Sequence, residues 1–150
     1  MKTLFKTSLI AVLCAVLFSF SSAPGGDHYR VYLDDKLVLE QFVHLQKAMP
    51  SVSLDASAKK SVVSITYSHC GQTGTARKVS IRDARNKIVK EWQYLDAPAG
   101  STSPMTFTVK DIAALKAGQN LNLFYSSREI PEGKQLASIV LTQGLNTAMN

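Results

Sequence analysis

His69 and Cys70 are the adjacent pair in this 150-residue chain whose side chains are best suited to chemistry. A neutral imidazole and a thiolate both bind soft metals, and an imidazole beside a thiol can lower its pKa. A closed metal site takes about four ligands, however, and the chain's other cysteine, Cys14, lies in an apolar leader far from this pair. A cysteine nucleophile needs a base that faces it, whereas neighbours on an extended strand point to opposite faces. The pair therefore reads first as structural. His69 prolongs the apolar face of Val63, Ile65 and Tyr67 and caps the edge of a core, while Cys70 packs as a small buried hydrophobe. An intermolecular disulfide is the second reading of such a leftover thiol. An enzyme or metal protein built on His69 and Cys70 is the third.

A second candidate is electrostatic. Arg77, Lys78, Arg82, Arg85, Lys87 and Lys90 crowd a short stretch in which Asp83 is the acidic residue beside them. Two apolar-alternating segments, Val79–Ile81 and Ile88–Leu95, flank a turn at Asp83–Asn86, so these cations belong to a hairpin. Arg77, Lys78, Arg82, Arg85 and Lys87 form the expected ligand-binding set, suited to an anionic glycan or lipid head group. The competing reading is a solvated sheet face that carries Lys and Arg for solubility and edge protection.

The loop Ser127–Lys134 holds Ile130 between charges, with Pro131 and Gly133 after it. Recognition loops on rigid scaffolds look like this, and Arg128, Glu129 and Ile130 are the expected contacts for a protein partner. Asp34-Asp35 lacks the spacing of a calcium loop and is explained by turn chemistry. The chain has no G-x-S-x-G, no H-E-x-x-H and no phosphate-cradling glycine loop, so no catalytic residue and no cofactor is assigned.

The compartment comes from the first 23 residues. Lys2 and Lys6 precede an apolar run from Leu9 to Phe18, which ends in the small-residue string Ser19 to Ala23. These are the three parts of a secretory signal peptide. The run is shorter than the roughly 20 apolar residues of a membrane span, and Pro24-Gly25-Gly26 breaks it. No retained membrane span is expected, and the domain begins at residue 24 after cleavage near Ser21 or Ala23. Leu13 before Cys14 does not suit a lipid-attachment site, so Cys14 reads as part of the apolar run. Cleavage lowers the formal net charge of +6 by the two lysines of the leader. Cys70 is then the only cysteine of residues 24–150, which leaves packing and not an internal disulfide to hold the domain.

These sites rest on strands. A hairpin joins Tyr29–Leu33 to Leu37–Phe42 through Asp34-Asp35-Lys36. Val52 and Leu54 mark a short strand, and Val63, Ile65 and Tyr67 alternate with small polar residues. Met105, Phe107 and Val109 alternate likewise, as do Leu121, Leu123 and Tyr125. Leu136–Leu141 carries apolar residues on both sides, so both faces are expected to be covered. Cys70–Thr75 and Ala97–Pro104 read as loops, and Thr142–Asn150 as a polar tail. Asp111 is placed to cap a short helix through Ala117, stopped by Gly118. Seven or eight short strands with frequent turns predict an all-β antiparallel sandwich with one short helix, a closed barrel being the alternative.

The segments KVSIRDARNKIVKEW, MTFTVKDIAAL and NLNLFYSS resemble the middle and later strands of immunoglobulin-like domains in small secreted bacterial proteins of unknown function, over roughly residues 52–142. That resemblance implies an immunoglobulin-like sandwich and an exported location, periplasmic or secreted, and carries no catalytic residue with it. The paired cysteines of antibody-type domains are missing here. Together these readings predict an exported, non-catalytic binding or structural accessory domain of the cell envelope or extracellular space. Its expected partner is another envelope or extracellular protein, with an anionic glycan as the alternative. Export disfavours nucleic acid.

Overall fold

Alternating apolar and polar side chains make strands that bury one face each, and two such sheets close over a common core. The computed structural model describes residues 25–98, 100–115 and 120–143. The leader at 1–23, the end of the predicted helix and most of the predicted tail lie outside the described residues. The strands are β1 (His28–Leu33), β2 (Lys36–Phe42), β3 (Ser51–Asp55), β4 (Val62–Ser68), β5 (Lys78–Arg82), β6 (Ile88–Gln93), β7 (Met105–Thr108), β8 (Leu121–Ser126) and β9 (Lys134–Thr142). One sheet runs β2-β1-β4-β7 and the other β3-β9-β8-β5-β6. The chain is an all-β sandwich.

Its strand pattern departs from the expected one in two ways. The strands are more numerous than seven or eight, and β3 pairs with β9 in parallel, with Val52 opposite Ile139 and Leu54 opposite Leu141. A parallel partner requires a long crossover, not a hairpin, and local periodicity carries no trace of it.

The core lies where the two inner faces meet. Tyr29, Val31, Val63, Ile65, Tyr67 and Phe107 from one sheet face Val79, Ile81, Leu123, Tyr125, Leu136 and Ile139 from the other, all buried. Tyr29 ties the sheets by donating from its hydroxyl to the Leu136 carbonyl at 2.6 Å, and burial pushes that phenol up to about 12. Trp92 stacks on Phe107 with centroids 4.5 Å apart, and the Tyr94 hydroxyl donates to the Thr106 carbonyl at 2.8 Å. These contacts hold the β6 edge against β7.

Bulges correct the sequence reading at two strands. A register shift between Ile81 and Arg82 sets Ile88 opposite Arg82, so Ile88 is exposed and falls outside the alternation expected for Ile88–Leu95. A second shift, between Leu123 and Phe124, lets consecutive Leu136 and Ala137 both turn inward. Val140 is then left exposed, so the two sides of β9 are not both covered along its length.

The short helix α1 (Val109–Ala113) begins earlier than predicted. Thr108 is its N-cap, and Asp111 lies at N3, where its carboxylate accepts from the Thr108 amide at 2.9 Å and hydroxyl at 2.7 Å. Val109 and Ile112 bury its inner side. The β1–β2 turn places Asp34 and Asp35 at φ 48° and 64°, the left-handed pair of a two-residue hairpin, which Asp tolerates.

Strand directions define two ends. The proximal end gathers Asp27, the β4–β5 loop, the Tyr94–Pro104 segment and the β8–β9 loop. The distal end gathers the β1–β2 and β5–β6 turns, the β3–β4 loop and α1.

Candidate functional site

The proximal end holds a hydrogen-bonded cluster drawn from three separate segments. His69 follows β4, and its Nε2 lies 3.0 Å from the Tyr125 hydroxyl on β8 and 3.3 Å from Ser127 Oγ. Its Nδ1 lies 3.4 Å from Asp27 Oδ2. That same carboxylate oxygen accepts from the Tyr67 hydroxyl at 2.9 Å. Tyr67 stacks on Tyr125 with centroids 4.2 Å apart, and burial, reinforced by Asp27, pushes the Tyr67 phenol far above its ordinary value. His69 thus sits at the core's edge, as its place on the apolar face of β4 implied.

Ser127, His69 and Asp27 stand in the order of an acyl-transfer relay, but the serine is not open. Ser127 is 5% exposed, and its Oγ accepts from the Ile130 amide at 3.3 Å. Gly74 covers the group so closely that a Cβ there would lie 2.5 Å from the Tyr125 hydroxyl and 2.7 Å from His69 Nε2. The cluster acts as a clasp that joins the N-terminal segment, the β4–β5 loop and the β8–β9 loop.

Cys70 is not a buried hydrophobe. It is exposed, at the tip of a two-residue turn where Cys70 and Gly71 have φ of 50° and 89°. His69 and Gln72 exchange both backbone bonds across this turn, at 2.7 and 3.0 Å. The reversal needs two left-handed residues, and that geometry swings the thiol out of the strand's alternation. Cys70 Sγ lies 3.7 Å from the Gly25 carbonyl and 3.9 Å from Asp27 Oδ1. No cluster of three or more metal-ligating side chains is found among the described residues. Beside this turn a cleft of about 560 Å³ opens between the Ser68–Thr75 stretch and the residues Ala97, Pro98 and Gly100 to Thr102, lined by hydroxyls and the Gln72 amide together with glycines, Ala97 and Pro98.

The loop proposed for a protein partner is drawn into the clasp. Glu129 accepts from the Thr75 amide and hydroxyl at 3.0 to 3.2 Å. Burial opposes ionisation there, but hydrogen bonds from Ser127, its own amide and Thr75 outweigh it and bring the carboxyl down to about 2. Ile130 packs against the core and is not an apolar tip. The Arg128 amide donates to Thr75 at 2.9 Å, while its side chain is exposed.

The basic hairpin divides. Arg77 is 1% exposed, because it precedes Val79 and Ile81 on the inward side of β5. Its Nη1 donates to the Ser103 carbonyl at 2.6 Å and its Nη2 to the Leu95 carbonyl at 2.5 Å. Arg77 is therefore removed from any surface patch. Lys78 pairs with Glu91 at 3.2 Å. Arg82 lies over the Phe124 ring, 4.1 Å from its centroid, and donates to Asn86 at 3.2 Å. Arg85 and Lys87 stand exposed on the turn. The anion-binding set predicted from spacing thus contains one interior strut, two side chains engaged on the sheet and two outward cations.

The feature that spacing alone did not reveal is the role of Ser127, Tyr125 and Asp27 around His69. A histidine at the end of an apolar strand face was the available signal, but its partners come from residues up to 58 positions away. No protein-family model matches this chain, and no curated protein matches it. Among the described residues no helix is long and apolar enough to cross a membrane.

Proposed function

We propose that this protein is an exported, non-catalytic binding domain of the cell envelope or extracellular space, and that its ligand is an anionic glycan held at the β5–β6 turn. Export rests on the tripartite leader from Met1 to Ala23. The carrying observation is the fate of the turn's carboxylate. Asp83 Oδ1 accepts from the Arg85 amide at 2.9 Å and the Lys87 amide at 3.0 Å. The acid is folded back on its own backbone, and the longer Arg85 and Lys87 side chains extend past it into solvent. Neither forms an ion pair among the described residues.

The protein-recognition reading loses support because Glu129 and Ile130 serve the clasp, which leaves Arg128 as the outward side chain of that set. The reading based on His69 and Cys70 loses support because the imidazole is committed to Asp27, Tyr125 and Ser127.

The test is retention of the purified domain on immobilised heparin, a sulfated glycan. Binding at 0.01 M salt should fall steeply by 0.15 M, as the screening length contracts from ~30 Å to ~8 Å. Arg85→Glu with Lys87→Glu should abolish it. Retention that is indifferent to salt, or unchanged in the double variant, rejects the reading.

A further inference from the structure

Beyond the turn itself, we infer that the fold assembles a continuous cationic band across the distal end of the sandwich, from Arg85 and Lys87 through Lys90 and Lys110 to Lys59 and Lys60, and that its ligand is an extended anionic polysaccharide chain spanning that band. The inference rests on the anionic-glycan reading of the turn and adds the second half of the surface and the polymeric nature of the ligand.

The band is joined link by link. The stacking of Trp92 on Phe107 and the Tyr94 bond to Thr106 bring β6 beside β7. The helix α1 follows β7 directly, so Lys90 on β6 comes within electrostatic reach of α1. Asp111 registers this: the Thr108 hydroxyl and amide hold its carboxyl below the ordinary range, and Lys90 and Lys110 add to the effect. From α1 the path continues through the backbone. The Lys110 amide donates to the Lys59 carbonyl at 3.2 Å, and the Val109 amide to the Ser61 carbonyl at 2.9 Å. Three segments far apart in sequence are thereby placed side by side.

All six cations are exposed. Of the carboxylates at this end, Asp83 and Asp111 turn toward backbone amides, as do Asp34 toward the Val62 amide and Asp55 toward the Ser57 amide, while Asp35 stands exposed on the β1–β2 turn. An aspartate held to its own backbone keeps its charge close to the fold, while lysine and arginine carry theirs several bonds further out, so the outermost layer is positive. A shallow depression lies toward each end of the band. One, of about 310 Å³, is lined by Asp83, Ala84, Arg85 and Asn120, and the other, of about 360 Å³, by Ser57 to Ser61.

The length of the band selects the ligand. It crosses from one sheet to the other and then to a neighbouring strand, roughly 15 Å from the usual sheet and strand spacings. A single phosphate or sulfate touches one end only. A chain with a charge on successive sugars engages both ends, and the second contact is favoured because it is intramolecular. A planar anionic membrane would also meet the cations, and vesicles therefore form one arm of the test.

The experiment measures binding of the purified domain to heparin fragments of increasing length, to a heparin disaccharide and to phosphatidylglycerol vesicles, at 0.02 M and 0.15 M salt. Long fragments should bind at least about tenfold more tightly than the disaccharide. Lys59→Glu with Lys60→Glu should remove that length dependence, and Lys59→Ala with Lys60→Ala should weaken it. Unaltered thermal unfolding establishes that each variant is folded. If the Lys59/Lys60 variants bind like the parent while Arg85→Glu with Lys87→Glu fails to bind, the turn acts alone and the band is refuted, with the proposed function intact. If the parent domain binds no glycan of any length, both readings fall. If it binds vesicles and no glycan, the polysaccharide assignment is overturned in favour of a lipid surface.

Discussion

Arg77 Nη1 donates to the carbonyl of Ser103 at 2.6 Å, from a side chain that is 1% exposed. The other arm of the same guanidinium holds Leu95, and together the two bonds fasten the Tyr94–Pro104 segment to the start of β5. Desolvating a cation is costly unless acceptors meet it, and hydrogen bonds made by a charged group contribute more stability than neutral ones.

Replacing this strut should therefore destabilise the domain. Arg77→Met is expected to lower stability by about 1.5–3 kcal/mol, the contribution of hydrogen bonds made by a charged group. Arg77→Lys should recover only part of the loss, because an ammonium lacks the planar fork. Urea unfolding checks this as a lower midpoint at an unchanged m-value. A neutral Arg77→Met would mean that the segment re-pairs its carbonyls with water.

Cys70 offers a second measurement. Its thiol is exposed, so a maleimide should label the folded protein in the absence of denaturant. Its backbone lies at φ 50°, where a Cβ is strained and glycine is not. Cys70→Gly should accordingly raise stability by about 0.5–1 kcal/mol, read as a higher Tm. A loss instead would assign real stabilising weight to the thiol's contacts with Gly25 and Asp27.

Glu129 predicts the form of acid unfolding. Hydrogen bonds from Ser127, its own amide and Thr75 overcome burial and lower its pKa from 4.5 to about 2 in the folded protein. A depressed carboxyl contributes its stabilisation above the unfolded pKa and loses it as pH falls through the folded one. Stability should thus decline from about pH 4.5 toward pH 2. Asp34 and Asp111, lowered by their own hydrogen bonds to Val62 and Thr108, add to the decline. Glu129→Gln should leave a shallower acid limb in a pH series of unfolding midpoints. A limb identical to that of the parent would remove Glu129 as its source.

Much of the architecture is legible locally. Val63, Ile65 and Tyr67 alternate with Ser64, Thr66 and Ser68, and that period alone sends the first set into the core. The same reasoning reaches Met105 and Phe107, and Leu121, Leu123 and Tyr125, all of which are buried. It fails at Ile88 and Val140, where bulges break the alternation. It fails at Cys70, where a left-handed turn replaces the strand. It fails most at Arg77, because residue type favours an exposed arginine and nothing nearby in sequence announces the carbonyls of Leu95 and Ser103.

What the sequence by itself determined is a set of strands, their inward faces and the turn residues between them, since side-chain alternation and backbone preference act within a few residues. Only the tertiary structure decided the partners: β3 beside β9 in parallel, Arg77 inside and Arg85 outside, His69 between Asp27, Tyr125 and Ser127, and Lys110 against Lys59. Each of these depends on the order of strands in the sheets and on how the sheets stack. That order is set by the joint burial of the whole core, which no local stretch of the chain encodes.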